Sequence, residues 1–180
     1  DKVQYHDLAA DYFSTANNMT ASMSALDALN DVDCTQRQQA LDSFAQRWQS
    51  DTLVMDKWFA LQARARTKDA LQVVKGLMQH EAFAMTNPNK VRALIGSFSM
   101  ANPTTFHAKD GSGYRFLADQ VIALNAINPQ VAARLIKPLI SWHKYDDQRQ
   151  TLMCAELRRI LDTEGLSSDV FELVDRGLAQ

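Results

Sequence analysis

Apolar positions along this chain recur with helical spacing. Tyr5, Leu8, Ala9 and Tyr12 fall at i, i+3, i+4 and i+7, and the same spacing returns in Leu41, Phe44, Ala45 and Trp48 and in Val91, Leu94, Ile95 and Phe98. Val54, Trp58, Leu61 and Ala65 hold one face over three turns. Leu71, Val74, Leu77 and Met78 make another stripe, as do Met153, Leu157, Ile160 and Leu161, and Val170, Phe171, Val174 and Leu178 close the chain. Each set lies along one side of a 3.6-residue helix. Alternating apolar and polar runs are missing, and 6 glycines with 4 prolines are too few for the turns of an all-β fold.

The polar positions between the stripes read as helix starts. Asn87-Pro88, Asn102-Pro103 and Asn128-Pro129 combine a side-chain oxygen able to accept a first-turn N–H with a residue that has no N–H to leave unpaired. Thr35 with Gln38 resembles a capping box, and Asp51 and Ser167 or Ser168 are further caps. Asp110-Gly111-Ser112-Gly113 reads as a loop ahead of a helix carrying Tyr114, Leu117, Val121 and Leu124. Pro138 interrupts a helical pattern and predicts a kink. The expected fold is all-α, with about nine or ten paired antiparallel helices in an irregular armadillo- or HEAT-like α-solenoid. No clean repeat period and no linker divide it, so residues 1–180 read as one domain.

Composition narrows the function. The 180 residues are 46% apolar and 22% charged, ordinary globular values. A net charge of −2 gives no whole-chain footprint for nucleic acid. No apolar run approaches the roughly 18–20 residues that cross a bilayer, so no membrane role is expected. Cys34 and Cys154 are far apart and read as two reduced thiols. The chain opens on Asp1 with no secretory leader pattern and reads as a piece of something longer.

The short motifs carry little chemistry. His80-Glu81-Ala82-Phe83-Ala84 begins like the zinc-protease H-E-x-x-H, but Ala84 stands where the second imidazole ligand belongs. Asp110-Gly111-Ser112-Gly113 lacks the lysine of a phosphate loop and any preceding strand. Trp48, Met55, Trp58 and Phe59 crowd together as core residues do. More informative are Gln130 and Arg134, four residues apart and off the face of Val131, Leu135 and Leu139. Arg92 follows the same Asn-Pro start. A guanidinium is a fixed fork of donors suited to a carboxylate. Two such arginines near a concave surface could receive a peptide carboxylate, and the competing reading is ordinary solvated arginines or structural ion pairs.

Longer blocks then add a resemblance. Ala16-Asn17-Asn18-Met19-Thr20, Leu53-Val54-Met55-Asp56-Lys57-Trp58-Phe59-Ala60-Leu61-Gln62-Ala63 and Thr86-Asn87-Pro88-Asn89-Lys90-Val91-Arg92-Ala93-Leu94-Ile95-Gly96 resemble the C-terminal part of the bacterial zinc aminopeptidase N family. Asn102-Pro103, Phe106-His107-Ala108-Lys109-Asp110-Gly111-Ser112-Gly113-Tyr114, Asn128-Pro129-Gln130-Val131-Ala132-Ala133-Arg134-Leu135-Ile136 and Tyr145-Asp146 to Gln148-Arg149-Gln150 follow in the expected order. The resemblance implies a non-catalytic helical domain that covers the active-site cavity of a zinc aminopeptidase, restricts access and docks the C-terminal side of peptide substrates. It implies that Arg92, Gln130 and Arg134 line that cavity. It also implies that the zinc and its ligands lie in a catalytic domain absent here, which would be this domain's partner, and that the location is cytoplasmic. No catalytic residue, metal or cofactor is expected in this chain. The alternative is a free-standing α-solenoid that binds another protein, whose signature would be a contiguous exposed patch.

Overall fold

The computed structural model describes residues 2–179, with the side chains of residues 2–4 left aside. Among the described residues it is helical throughout. The elements are α1 (Lys2–Thr15), α2 (Met19–Leu29), α3 (Thr35–Trp48), α4 (Thr52–Ala63), α5 (Ala70–Leu77), α6 (Pro88–Val91), a π-helical turn (Arg92–Gly96), α7 (Ser97–Ala101), α8 (Pro103–Phe106), α9 (Ser112–Asn125), α10 (Pro129–Leu135), α11 (Lys137–Ile140), a 3-10 turn (Trp142–Lys144), α12 (Asp147–Leu161) and α13 (Ser168–Leu178). Helices near in sequence pack together, α1 on α2 and α3, α3 on α4, α9 on α10 and α12, and α13 on α10 and α12. That is the neighbour-to-neighbour packing of a layered stack.

The caps form as the asparagines predict. Asn87, Asn102 and Asn128 accept from the backbone N–H of Asn89, Thr105 and Val131, each with proline next in line. Asp51 and Ser167 cap α4 and α13. At α3 the Cys34 sulfur, not Thr35, takes the capping position, accepting from Arg37 N–H at 3.4 Å, so the helix starts one residue earlier than the box pattern implies. Pro138 breaks the helical run rather than bending it: α10 ends at Leu135 and α11 restarts at Lys137. The helix after Gly111 begins at Ser112, so Gly113 is already inside α9.

One apolar core runs through the stack, from Leu26 and Leu29 through Phe44, Trp58 and Phe59 to Phe98, Phe106 and Tyr114 and on to Met153, Leu157 and Val174. Trp58 and Phe59 are core residues, and the Trp58 indole N–H donates to Leu41 O at 3.0 Å. His80 packs against that cluster, its ring 5.3 Å from Trp58 and 5.7 Å from Phe59. Asn102 is fully buried and does more than cap: its amide donates to Ala63 O and Ala65 O, tying the end of α4 to the start of α8. The first stripe departs from expectation. Tyr5, Leu8 and Tyr12 of α1 are exposed at 71, 65 and 53%, while Ala9 and Phe13 face the core.

Candidate functional site

Two of the three predicted residues share a groove. The Asn128 cap and Pro129 set the register of α10, which turns Ala132 and Leu135 inward and leaves Gln130, Arg134 and then Lys137 along the adjoining face. Ser167 sets α13 in the same way. Val170, Val174 and Gly177 go inward, and Asp169, Glu172 and Arg176 face α10. The groove between them has a volume of about 420 Å³, with Ala133 and Leu173 among its lining. One end is pinned by close packing. A Cβ on Gly177 would stand 2.5 Å from Ile140 Cγ2, and the Trp142 indole N–H donates to Gly177 O at 2.8 Å. Lys137 and Arg176 therefore mark one end, and Gln130 and Asp169 the other.

Arg92 occupies a separate groove of about 400 Å³, beside Leu53, Asp56, Asn89, Ala93 and Ser97. It opens the π-helical turn and is exposed, while Lys90, Val91, Leu94, Ile95 and Phe98 around it are buried. Its guanidinium donates to Asn89 Oδ1 at 2.6 Å, which holds the fork near the helix start. The Cβ position of Gly96 lies 3.6 Å from Arg92 Cγ and 3.9 Å from Leu135 Cδ2, so Gly96 has the Arg92 stem and the inward side of α10 as neighbours.

Sequence reasoning missed an ion pair under the Arg92 groove. Lys90 is 4% exposed, and its ammonium meets Asp56 Oδ1 at 2.8 Å and donates to Thr52 O at 2.8 Å. It also lies 5.5 Å from the Phe59 ring. A lysine beside an Asn-Pro cap looks solvated in a sequence. Only the α4 residues packed over it reveal otherwise.

A third cluster gathers around His107. Its Nδ1 is 2.9 Å from the Tyr114 hydroxyl and its Nε2 3.0 Å from the Tyr145 hydroxyl, with the Tyr145 ring stacked 4.3 Å away. A neutral imidazole has one N–H and one lone pair, so one tyrosine accepts and the other donates. Arg149 donates to His107 O at 2.9 Å and pairs with Asp146. Burial, then the Arg149 charge, lowers the His107 pKa below its ordinary 6.5, and burial pushes the Tyr114 phenol up to about 12. A lowered histidine pKa means that the folded state holds fewer protons than the unfolded chain just below pH 6.5. The His107 contribution to stability is therefore full above that pH and is lost as pH falls through it. Urea unfolding between pH 7.5 and 5 should show a midpoint that drops with acid, and His107→Gln should flatten that slope. An unchanged slope in the variant would refute the assignment.

Among the described residues no group of three or more His, Cys, Asp or Glu side chains is placed to hold a metal ion. No helix there is long and apolar enough to cross a membrane.

An all-helical stack with polar grooves between neighbouring helices defines the class, an armadillo-type repeat domain. The chain belongs to the family described as a domain of unknown function (DUF3458_C) with ARM repeats, whose pattern matches residues 1–179. It is 47% identical over 173 residues to aminopeptidase N of Haemophilus influenzae and 45% identical over 172 residues to aminopeptidase N of Escherichia coli (strain K12), in each case 96% of this chain and 20% of the relative. A crystal structure of Legionella pneumophila aminopeptidase A in complex with aspartic acid superposes with a TM-score of 0.92 at 38% identity, over 97% of this chain and 20% of that one. The chain thus spans about a fifth of the length of the curated relatives it matches, and the family resemblance and the all-α solenoid expected from the sequence both hold.

Proposed function

We propose that these residues form the C-terminal, non-catalytic helical domain of a larger zinc aminopeptidase. In this reading the domain covers the active-site cavity, limits access to it and docks the C-terminal end of peptide substrates through Gln130 and Arg134, with Arg92 contributing from a second groove. The zinc would be held by the catalytic domain, this domain's partner in the full-length protein, and the location would be cytoplasmic. The observation that carries the docking role is the placement of Gln130 and Arg134 on one wall of one groove, with Lys137 beyond them adding positive charge. Between domains, where water is displaced and the effective dielectric falls, a guanidinium attracts a carboxylate more strongly than on an open surface. Binding energy gained at the remote end of a peptide can then hold its reacting amide in place.

The test is kinetic. In the full-length aminopeptidase, Arg134→Ala should raise KM for short peptides with a free C-terminus by about tenfold, the value of one charge-assisted hydrogen bond. The C-terminal amides of the same peptides should change little. Equal effects on acids and amides would remove the docking role.

The scaffold reading draws on the exposed Tyr5, Leu8 and Tyr12 of α1, which edge a groove of about 540 Å³ against α2. Mixing this chain with the separately produced remainder of the aminopeptidase separates the two. Specific reassociation with recovery of peptide turnover fits the aminopeptidase domain, and its failure favours the scaffold.

A further inference from the structure

The two ends of the stack differ in what they leave outside. On α13 the outer side is charged, with Asp169, Glu172, Asp175 and Arg176 exposed and Phe171 the apolar exception. A polar outer face is how a repeat stack ends. On α1 the exposed row is Tyr5, Leu8 and Tyr12, which with Ala9, Ala25 and Ala28 line the groove of about 540 Å³. At 100° per residue, the arc from Leu8 through Tyr12, Tyr5 and Ala9 to Phe13 covers roughly 140° of the α1 circumference. Ala9 and Phe13 pack on the core, and the rest of the arc is bare. A helix apolar on two sides belongs between two neighbours, inside a stack.

We propose that the Tyr5, Leu8 and Tyr12 face seats one more helix of the same polypeptide, from the segment that precedes α1 in the full-length protein, so that α1 is an interior layer of a longer stack. The proposal rests on one part of the reading above, that these residues are the C-terminal part of a longer chain; they span about a fifth of the relatives they match. Helices near in sequence pack together along the stack. The helices that follow α1, α2 and α3, already lie against it, and the bare stripe is left for one that comes before. Ser24, Ala25 and Ala28 of α2 are small and give the groove a low floor, into which the side-chain ridge of an incoming helix can settle. A second copy of the chain fits less well. Asp7 and Asp11 are exposed on one flank of the stripe, and two α1 helices meeting antiparallel would set these carboxylates against each other. The occupant is therefore an amphipathic helix with a basic residue opposite Asp11. It covers the patch on which the scaffold reading draws and leaves no need for a foreign protein there.

Photo-crosslinking in the full-length protein tests this. The photoreactive p-benzoylphenylalanine replaces Tyr5 in one variant and Tyr12 in another, an aromatic ring for an aromatic ring. Each variant is irradiated as a mixture of isotopically light and heavy protein, and the adducts are mapped by mass spectrometry. The expected adducts join light to light and heavy to heavy, and fall within the one helix pair ahead of Asp1, about 40 residues. Adducts farther along the polypeptide, in a catalytic domain, overturn the proposal. So do adducts joining light to heavy, which assign the face to a second copy, and so does the lack of any adduct. Nitration of the unmodified full-length protein with tetranitromethane is the second measurement, free of any packing defect from the bulky probe. Tyr5 and Tyr12 should react about tenfold slower in the native protein than in urea, as covered side chains do. Equal rates would leave the face exposed and overturn the proposal. The docking role of Arg134 is read separately, from KM for peptide acids against amides, so either can fail while the other stands.

Discussion

Gly113→Ala should destabilise the protein by about 3 kcal/mol, the upper end of what overpacking costs. A Cβ built on Gly113 would meet the backbone of Phe106, with its Cα at 2.7 Å and its carbonyl carbon at 2.8 Å. Backbone cannot rotate away as a side-chain tip can. Relief requires α8 and α9 to separate, and that would open the contacts of Phe106 with Phe98 and Tyr114, whose ring centroids lie 6.0 and 5.3 Å from it. The same movement would strain the His107 hydrogen bonds at the end of α8. For a chain of this length the melting temperature should fall by about 6–12 °C. Gly76→Ala is the control. Nothing stands within 4 Å of its Cβ position in α5, so alanine should leave stability equal or raise it by about 0.5–1 kcal/mol through helix propensity. A Gly113 variant melting within 2 °C of the parent would show that the α8–α9 crossing gives way cheaply.

Asp56→Ala should cost a similar amount for a different reason. Lys90 is buried, and Asp56 supplies the only carboxylate within ion-pair distance of it among the described residues. Removing the carboxylate leaves an ammonium out of water with only Thr52 O and the Phe59 ring to meet it. Breaking such a buried pair from one side typically costs about 3–5 kcal/mol, whereas replacing both partners by apolar residues is often close to neutral. The Asp56→Ala/Lys90→Met double variant should therefore recover most of the loss. Chemical denaturation of the two single variants and the double variant measures this as a cycle. Additive single losses would show that the pair carries no special weight.

These two positions also show what one dimension can carry. The motif holding Gly113 was visible as a loop ahead of a helix, and its resemblance to a family block was visible too. The Phe106 backbone that forbids a side chain there comes from the preceding helix, brought in by the crossing angle. Lys90 sits in a block that carries the family resemblance, yet only α4 lying across it makes it a buried charge. The candidate site divides in the same way. Gln130 and Arg134 share a helical face because they are four residues apart, and that much is arithmetic. Asp169, Glu172 and Arg176 enter the same groove from α13, more than thirty residues on, and no local pattern points to them. Arg92 follows the same Asn-Pro start as Arg134, but the two lie on different helical segments and line different grooves.

Local chemistry by itself determined the helices and their starts. Hydrophobic spacing marks the apolar side of a helix, and an asparagine before a proline caps it, wherever the chain lies. Contacts between distant segments decided the rest. Tyr5, Leu8 and Tyr12 form as regular a stripe as any other, yet they face outward, because spacing says which side of a helix is apolar and not what will be there to cover it. Which polar residues meet in a groove, which lysine is buried and which glycine cannot change all depend on neighbours delivered by packing, and packing is a property of the assembled stack.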